Sequence, residues 1–406
     1  MNVEKLSAVI ETLESGARPK GGAVLPERNA IPSLGAEHLN DSGGFKFEKI
    51  KFIPRSFFKE MSHGIIKKGD ILVVKDGATT GKVSLVDSSF PFEKAAINEH
   101  VFLLRVSDRA FNEYVFHFLK SPVGQIEIQK DFRGATVGGI SRNFIEIIKL
   151  PVPSINQQVQ IASILRKADG LIKQRKESIN LLNVFLDSKF FEMFGDPVRN
   201  EKKWPKAELS SILSNIKSGW SPVCEDFPRA DEKELAVLKL SAVTYGEFDP
   251  TQNKKLKQGT QIKKRVEPNS GDVLFSRKNT LDLVGATAYV FKNYPNLLLS
   301  DTIFKLEYNN RTVNGLFLWK LLSNLSLRRQ LKALATGSAG SMPNISQERL
   351  LHFSTILPPL EMQVRFADIV HKVKNLNTIY QSGLIELENL YGSLSQKAFK
   401  GTLKLK

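Results

Sequence analysis

The stretch Leu-Ser-Ala-Val-Ile-Glu-Thr-Leu-Glu-Ser-Gly at residues 6–16 returns later in the chain as Leu-Ser-Ser-Ile-Leu-Ser-Asn-Ile-Lys-Ser-Gly at residues 209–219. Two shorter motifs recur in the same order. Gly69-Asp70 returns as Gly271-Asp272, and Gln158-Val159 returns as Gln363-Val364. A period of about half the chain is far longer than the roughly 20 to 50 residues of a solenoid repeat. The sequence therefore predicts two copies of a complete domain, each followed by its own attached element.

Composition indicates a globular protein with more than one core, since 41% of the 406 residues are hydrophobic. No apolar run approaches the roughly 18 residues of a membrane span. The first residues, 1–5, contain no basic region that leads into an apolar stretch. We therefore expect a cytoplasmic protein with no membrane partner. Cys224 is the only cysteine, which excludes an intrachain disulfide and the usual thiolate metal sites.

The charge balance is strongly basic, with 58 Lys and Arg against 42 Asp and Glu, a net charge of +16 and a pI near 9.6. Each of the segments 1–150, 151–206, 207–357 and 358–406 is itself net positive. This distribution favours a long basic surface that binds a polyanion over a neutral protein with a cationic tail. Any single lysine run, such as residues 254–265, is more simply a solvated face.

Each copy divides into a mixed, strand-rich part and a helical part. Short β-type apolar runs follow the two Gly-Asp motifs, at residues 71–74 and 273–275, and similar runs lie at 101–104 and 302–306. Helical stretches are predicted at residues 110–119 and 313–331, each followed by a Gly-rich loop. The mixed parts therefore extend over 1–150 and 207–357, and the helical parts over 151–206 and 358–406.

The helical parts carry a hydrophobic seam typical of a coiled coil, in which apolar residues alternate by three and four positions. In the first copy only Arg175 and Lys189 interrupt the seam, and in the second copy Asn377 is the strongly polar member. A polar residue at such a position fixes the alignment of paired helices. The first seam is Leu165, Ala168, Ile172, Ile179, Leu182, Leu186 and Met193, and the second is Val370, Val373, Asn377, Tyr380, Leu384, Leu387, Tyr391 and Leu394.

Prolines mark the start of both helices. Pro153 precedes Ser154, which forms an S-x-x-Q capping box with Gln157, and Pro358 and Pro359 stand at the same place in the second copy. The first seam spans about 42 Å at 1.5 Å per residue, about one turn of B-DNA. If the first helix leads to the second domain and the last helix returns, the two pair as an antiparallel rod. The alternative is that each helix lies against its own domain.

These motifs, in this order and twice, resemble those of the specificity subunits of type I restriction-modification systems. The resemblance covers essentially the whole chain. It is carried by residues 69–72 with Asp76-Gly77 and Gly81-Lys82, by their partner 271–274, and by the proline-to-helix junctions at 150–158 and 357–363.

The resemblance implies an α+β fold in which two mixed α/β target recognition domains are joined by two long helices. The helices form an antiparallel intramolecular coiled coil, and the whole is a pseudo-twofold repeat. It implies target recognition domains at 1–150 and 207–357, with conserved helical spacers at 151–206 and 358–406. It further implies a non-catalytic protein that binds double-stranded DNA and recruits methylase (modification) subunits and restriction (translocase/nuclease) subunits. S-adenosylmethionine, ATP and magnesium would then be bound by those partner subunits, and this chain would bind no cofactor.

Catalytic motifs are missing from the sequence. The Asp-Pro pairs are followed by Val198 and Thr251, so the Asn/Asp-Pro-Pro-aromatic motif of a methyltransferase is absent, and no Gly-x-Gly triplet occurs. Residues 76–83 resemble a P-loop, but Asp76 and Val83 replace the first Gly and the magnesium-binding hydroxyl residue. Two alternatives remain. One is a divergent DNA methyltransferase or nuclease that acts alone, and the other is a sequence-neutral nucleic-acid scaffold.

Base recognition in the major groove needs Arg or Lys for guanine, Asn or Gln for adenine, and small hydroxyl residues, all presented from loops. Residues of these types cluster in basic loops that contain Gly or Thr, although for each residue taken singly a contact with only phosphate or solvent is the favoured interpretation. The candidates for DNA binding are Arg18, Lys20, Lys75, Thr79, Thr80, Lys82, Arg133 and Thr136 in the first copy, and Trp220, Arg277, Lys278, Asn279, Thr280, Ser338, Ser341 and Asn344 in the second. Because residues 75–80 and 277–282 differ in sequence, we expect the two copies to read different half-sites of a non-palindromic target.

Overall fold

In the computed structural model, residues 2–23, 30–134, 138–337 and 342–405 are described. The chain divides into two compact units. Unit 1 consists of Met1–Ile179 together with Ile379–Lys406, and unit 2 is Asn180–Thr378. Each unit therefore contains one copy of the repeat and a part of both helical spacers. This division differs from the four consecutive domains predicted above, because each long helix contributes to both cores.

Unit 1 is built on a four-stranded antiparallel sheet with the strand order β2-β8-β5-β6. A three-stranded sheet of order β4-β3-β7 and a two-stranded ribbon of β1 and β9 complete it. The strands are β1 Val3–Lys5, β2 Ile10–Ser15, β3 Ile31–Leu34, β4 Lys51–Ile53, β5 Ile71–Val74, β6 Val83–Leu85, β7 Ala96–Ile97, β8 Val101–Val106 and β9 Lys149–Pro151.

The β5 strand is apolar at every position because both of its faces are buried. Side chains alternate across a strand. Accordingly, Ile71 and Val73 join the core on the helical side of the sheet, and Leu72 and Val74 join the core that faces the three-stranded sheet. The β5 strand also lies between two neighbours, so its backbone is hydrogen-bonded on both edges. This position explains the continuous apolar run seen in the sequence.

The Gly-Asp motif before β5 forms a turn. Gly69 has φ +91°, a left-handed conformation that side chains other than glycine rarely adopt. The Asp70 carboxylate accepts a hydrogen bond from the Lys67 backbone N–H at 2.7 Å and two from the Arg105 guanidinium at 2.9 Å each. In unit 2 Gly271 has φ +96°, and Asp272 accepts from the Asn269 backbone N–H at 2.6 Å. The recurring motif is therefore a structural turn.

Unit 2 repeats the architecture of unit 1. Its four-stranded antiparallel sheet has the order β11-β17-β14-β15, beside a three-stranded sheet β13-β12-β16 and a ribbon β10-β18. The strands are β10 Lys206–Glu208, β11 Leu213–Ser218, β12 Ala236–Leu238, β13 Asn253–Lys255, β14 Val273–Ser276, β15 Thr287–Tyr289, β16 Leu297–Leu298, β17 Ile303–Tyr308 and β18 Ser354–Ile356. The strands predicted at 71–74, 101–104, 273–275 and 302–306 are confirmed.

Short helices pack beside each sheet, and two long helices follow the mixed parts. The helices are α1 Arg55–Glu60, α2 Asn112–Lys120, α3 Pro122–Gln129, α4 Phe144–Ile147, α5 Ile155–Phe194, α6 Leu209–Ile212, α7 Ser241–Thr244, α8 Gly315–Ser323, α9 Leu325–Ala333, α10 Gln347–Leu351 and α11 Leu360–Phe399. Short 3₁₀ turns lie at Leu6–Val9 and Ala36–His38.

The single helix predicted at 313–331 is wrong, because the structure has two helices, α8 and α9, there. Asn324 lies between them with an extended backbone, and its side-chain oxygen accepts hydrogen bonds from the Ser326 and Leu327 backbone N–H groups. This side chain starts a new helix and thereby ends the preceding one.

The long helices α5 and α11 each contain 40 residues. At the start of α5, Ser154 and Gln157 form the predicted capping box, with hydrogen bonds of 3.3 Å and 3.5 Å between backbone N–H and side chain. Four residues into each helix, a fully buried glutamine ties it to the adjacent domain. The Gln158 amide oxygen accepts from the Phe111 backbone N–H at 2.8 Å, and the Gln363 amide oxygen accepts from Asn314 N–H at 2.8 Å.

Inside each unit the two long helices pack against each other in antiparallel fashion. In unit 1, Leu165 and Ile172 of α5 share a core with Tyr391 and Ala398 of α11, so the beginning of one helix meets the end of the other. The Arg175 guanidinium stacks 4.8 Å above the Tyr380 ring, and Lys176 pairs with Glu388 at 2.8 Å. In unit 2, Phe190 of α5 packs against Phe366 of α11, with ring centroids 5.5 Å apart.

Every side chain predicted to form the seams is at least partly buried. Leu165, Ala168, Ile172, Leu186, Val370, Val373 and Tyr391 are buried, and Ile179, Leu182, Met193, Asn377, Tyr380, Leu384, Leu387 and Leu394 are half-buried. The seam is thus shared between the helix pair and the domain cores. Among the described residues, no helix combines the length and apolar character needed to cross a membrane.

Candidate nucleic-acid interface

Three loops of unit 1 meet at one edge of the four-stranded sheet. Strand β2 ends beside the start of β8, since Ser15 pairs with Phe102, and β5 ends there too, since Val74 pairs with Val101. The loop after β2, the loop after β5 and the turn before β8 therefore converge. Gly16 makes this convergence possible, because a Cβ at that position would lie 2.0 Å from the Ile97 carbonyl oxygen.

Lys75 lies at the centre of this edge, directly after β5. Its backbone N–H donates to the His100 carbonyl at 2.9 Å, and its own carbonyl accepts from the Ile140 N–H at 2.8 Å. The ammonium group lies 5.8 Å from the centre of the Phe102 ring and donates to the Glu99 carbonyl at 3.1 Å. Lys75 is thus held over an aromatic ring and is partly exposed, and its ammonium group lies 3.8 Å from the Asp76 carboxylate.

Acidic side chains accompany this lysine. The His100 ring nitrogen Nδ1 and the Asp76 carboxylate are 2.6 Å apart, and Glu99 lies 3.6 Å from both the Arg18 guanidinium and His100 Nε2. The Oε2 atom of Glu99 is buried and has no hydrogen-bond partner in the part of the chain that the structure describes. Carboxylates repel phosphates, whereas they accept hydrogen bonds from the exocyclic amino groups of bases. This cluster is therefore better suited to bases than to the DNA backbone.

The Gly-rich loop of unit 1 joins the same edge. Arg133 and Gly139 exchange two backbone hydrogen bonds of 2.9 Å, and Gly77 N–H donates to the Gly138 carbonyl at 3.1 Å. The Arg133 side chain is 72% exposed and contacts the buried carboxylate of Asp131 at 3.3 Å. The structure thus brings Arg133 next to the loop that follows β5.

The other residues of unit 1 that were predicted to bind DNA differ in solvent exposure and in whether they already pair with another group. Thr79 and Lys20 are exposed, whereas the Thr80 hydroxyl donates to the Gly77 carbonyl at 2.7 Å. The Lys82 side chain is only 19% exposed and pairs with Asp41 at 2.6 Å, and this hydrogen bond lowers the pKa of the Asp41 carboxyl. Lys82 is therefore poorly placed to contact DNA. Thr136 lies outside the described residues.

Unit 2 builds the same edge with other side chains. Arg277 follows β14 as Lys75 follows β5. Its N–H donates to the Thr302 carbonyl at 3.0 Å, and its carbonyl accepts from the Ile345 N–H at 2.8 Å. The guanidinium lies 4.8 Å from the centre of the Phe304 ring, and its Nε donates to the Asn344 side-chain oxygen at 3.0 Å. Arg277 and Asn344 are thus fixed side by side.

Lys278 and Thr280, the neighbours of Arg277, are exposed. Asn279 between them is 5% exposed, and its amide donates to the Thr244 hydroxyl at 3.3 Å. Its burial favours a role in shaping this loop rather than in contacting a base. Trp220 is half-buried after β11, and its N–H donates to the Leu299 carbonyl at 3.0 Å. Ser338 and Ser341 lie outside the described residues.

The structure adds basic residues that the sequence did not single out. Lys264 donates to the Ser218 hydroxyl at 3.2 Å and therefore lies beside the end of β11, at the same edge as Arg277. Lys217 and Lys305 line the same depression, which has a volume of about 560 Å³, and each pairs with a carboxylate at 2.6 Å. In the sequence Lys264 belongs to a lysine run that reads as a solvated face. Only the pairing of strands locates it at this edge.

No group of three or more His, Cys, Asp or Glu side chains among the described residues could hold a metal ion. The fold is that of a duplicated α+β protein with one basic residue, Lys75 or Arg277, at the corresponding sheet edge of each unit. The chain belongs to the family of type I restriction-modification DNA specificity proteins, because the model described as "Type I restriction modification DNA specificity domain" matches residues 2–181 and 204–389. The family makes it a specificity subunit, the non-catalytic component of a type I enzyme, and assigns it to DNA target recognition.

Individual relatives agree with this family. The chain is 23% identical over 394 residues to the type I restriction enzyme EcoKI specificity subunit of Escherichia coli K12, covering 92% of this chain and 82% of that protein. It is 28% identical over 215 residues to the EcoEI specificity subunit of Escherichia coli, but this match spans 53% of the chain and only 34% of that protein. The crystal structure of a type I S subunit from M. genitalium shares the fold, with a TM-score of 0.55 at 15% identity over 100% of this chain and 96% of that one.

Proposed function

We propose that this specificity subunit reads an asymmetric, bipartite DNA sequence, with the sheet edge of unit 1 on one half-site and that of unit 2 on the other. The proposal rests mainly on one repeated feature: a basic residue directly follows strand β5 in unit 1 and the equivalent strand β14 in unit 2. Lys75 and Arg277 make the same two backbone hydrogen bonds and stack on equivalent aromatic rings, Phe102 and Phe304. The same arrangement of backbone and aromatic ring thus places a basic side chain at the sheet edge of each unit.

The residues around each cation differ in kind, which supports unlike half-sites. Unit 1 surrounds Lys75 with Asp76 and His100, at positions where unit 2 has Lys278 and Thr302. Arg277 can donate two parallel hydrogen bonds to guanine, whereas a lysine offers a point charge. Carboxylates accept hydrogen bonds from cytosine or adenine amino groups. Two edges with such different donors and acceptors favour a non-palindromic target.

The same proposal includes partners. A specificity subunit supplies recognition, so modification and restriction require methylase subunits and restriction (translocase/nuclease) subunits that assemble with this chain. S-adenosylmethionine, ATP and magnesium would be bound by those subunits. A solved structure that shares the fold with a TM-score of 0.56 comes from work on the complex assembly of a type I restriction-modification system, which supports assembly here.

The test is methylation mapping of DNA modified by the assembled complex, with wild type compared with Arg277→Ala. We expect a split motif in the wild type, and in the variant a loss of discrimination confined to one half, since each bidentate contact is worth about 1–3 kcal/mol. Arg311→Ala is the matched control, because Arg311 is exposed and follows the opposite end of β17. A palindromic motif, or equal relaxation of both halves by Arg277→Ala, would contradict the proposal.

Assays on the purified chain, without partner subunits, distinguish the proposed function from the two alternatives. A divergent methyltransferase or nuclease would modify or cut DNA when given S-adenosylmethionine or magnesium, and we expect no product. A sequence-neutral scaffold would lose affinity with salt but would bind random duplexes as tightly as the mapped site. We expect competition by random duplexes to be weaker than competition by the specific site.

A further inference from the structure

Unit 2 contains a cavity of about 190 Å³ that lies away from the DNA-binding edge. Aromatic rings form much of its wall. Phe248 and Tyr294 pack edge to face at 5.1 Å, Tyr289 and Phe291 do so at 4.8 Å, and Trp319 closes one side. The unit 2 parts of α5 and α11 form the other side of the cavity. A largely aromatic cavity with a few polar groups is the usual form of a small-molecule site.

Two polar groups of α11 face this cavity. The Asn377 side-chain oxygen is buried and has no hydrogen-bond partner within the described ranges. The Lys374 ammonium lies 5.1 Å from the centre of the Phe291 ring. Leaving a buried acceptor unpaired is unfavourable. A ligand that donates an N–H group to Asn377 would remove this penalty, and one that also accepts a hydrogen bond would satisfy Lys374.

The equivalent place in unit 1 is filled by the protein itself. There Lys120 of α2 reaches between the rings of Phe116 and Tyr391, 5.7 Å and 5.6 Å from their centres, and pairs with Asp169. A Cβ at Gly43 would lie 2.5 Å from the Phe116 ring, so this region of unit 1 is tightly packed.

In unit 2 the repeat substitutes smaller or differently charged residues at these positions. Ser323 stands for Lys120, Leu186 for Tyr391 and Lys374 for Asp169. At Gly246, the counterpart of Gly43, a Cβ would meet nothing within 4 Å. The space that unit 1 fills with a lysine is open in unit 2. The exchange also places Lys374 where unit 1 has a carboxylate, and the charged groups that line the cavity are Lys374, Lys292 and Glu247.

Size and chemistry define the class of ligand. A cavity of about 150 Å³ in another protein holds benzene, so about 190 Å³ suits a larger planar ring system. Aromatic walls stack on such rings. We propose that this cavity binds a planar nitrogen heterocycle of nucleobase size, which donates an N–H group to Asn377, accepts a hydrogen bond from Lys374 and packs against the aromatic wall.

Binding to the full-length protein can be measured by isothermal titration calorimetry and ligand-detected NMR, with adenine, guanine, cytosine and uracil as probes and toluene as an apolar reference. For eight to eleven non-hydrogen atoms we expect at least one nucleobase to bind with a Kd of about 1 mM or tighter. Toluene should bind more weakly, because it cannot satisfy Asn377. If no nucleobase binds, or toluene binds better than every nucleobase, the proposal is wrong.

Two variants and one control variant test whether the ligand binds in this cavity. Leu186→Tyr introduces the unit 1 residue and should abolish nucleobase binding, whereas Leu171→Tyr, on an exposed position of the same helix, should leave it unchanged. Asn377→Leu keeps the cavity but removes the acceptor, and should weaken nucleobase binding about tenfold without weakening toluene binding. Binding that is unaffected by both Leu186→Tyr and Asn377→Leu would place the ligand elsewhere and overturn the assignment. The outcome is independent of DNA recognition, which is measured separately by methylation mapping.

Discussion

Acidification from pH 7 to pH 5 is expected to destabilise unit 1 through one buried histidine. His117 of α2 is 3% exposed, and its Nδ1 lies 3.1 Å from the Tyr391 hydroxyl of α11. Burial lowers the pKa of His117 from 6.5 to about 3, against the opposing charge of Asp169 and with smaller contributions from Lys120 and other nearby cations. The native ring is therefore neutral at any pH above about 3.

The sign and size follow from proton uptake. Below pH 6.5 the unfolded chain binds a proton at His117 and the native chain does not, so the free energy of unfolding falls as the pH falls. The loss is about 1.4 kcal/mol for each pH unit below 6.5 and levels off near pH 3. Between pH 7 and pH 5 it amounts to about 2 kcal/mol.

The comparison is between wild type and His117→Gln, which keeps a hydrogen-bonding side chain beside Tyr391 but does not titrate. Native-state hydrogen exchange of peptides from α2, with α8 of unit 2 as internal reference, gives the local opening free energy at each pH. The variant should lose about 2 kcal/mol of the pH dependence. His63→Gln, at an exposed position of the same unit, should keep it. An undiminished pH dependence in His117→Gln would refute this account.

Three further changes test the fold and the spacing of the target. Gln363→Leu leaves the Asn314 N–H and the Pro358 carbonyl unpaired. The opening free energy of unit 2, measured by hydrogen exchange, should therefore fall by about 2–4 kcal/mol. A loss below about 0.5 kcal/mol would show that this hydrogen-bonded link is dispensable. Leu165→Ala, at a fully buried seam position, should destabilise unit 1 by about 2–5 kcal/mol, and exposed Leu171→Ala should hardly change it; equal effects would contradict the seam. One extra heptad in each long helix adds about 10 Å, so methylation mapping should show a spacer longer by about 3 bp, and an unchanged spacer would argue against the helices as a ruler.

Much of the fold was predictable because its signals are local or repeated. The apolar run after Gly69-Asp70 and its copy after Gly271-Asp272 are both buried strands, as predicted. The seams lie within helices that begin at Ile155 and Leu360, directly after the prolines that predicted their starts. The prediction of one helix at 313–331 was wrong because the apolar pattern continues across Asn324, whereas the side chain of Asn324 caps a new helix there.

The residues that meet at the two sheet edges proposed to bind DNA were only partly predictable. Lys75 and Arg277 were predicted because they lie in basic segments that contain Gly or Thr. The structure places each of them directly after a buried strand, at the end of the sheet. Lys82 was also predicted, although Asp41, far away in sequence, pairs with it. Glu99 and Lys264 were missed, since nothing in their own segments indicates the loops that they meet.

The order of residues along the chain was sufficient to establish a duplication, two mixed domains, two seams of matching register and a basic surface, because periodicity and charge are properties of the chain itself. Which loops share an edge depended on the pairing of strands. In particular, β2 pairs with β8 and β11 pairs with β17, which joins segments about 90 residues apart in sequence. The cavity beside Asn377 likewise could not be predicted from the sequence and is seen only in the tertiary structure. It results from the absence of a lysine and a tyrosine that unit 1 places at the equivalent position, and a missing side chain becomes a space only when its neighbours are packed around it.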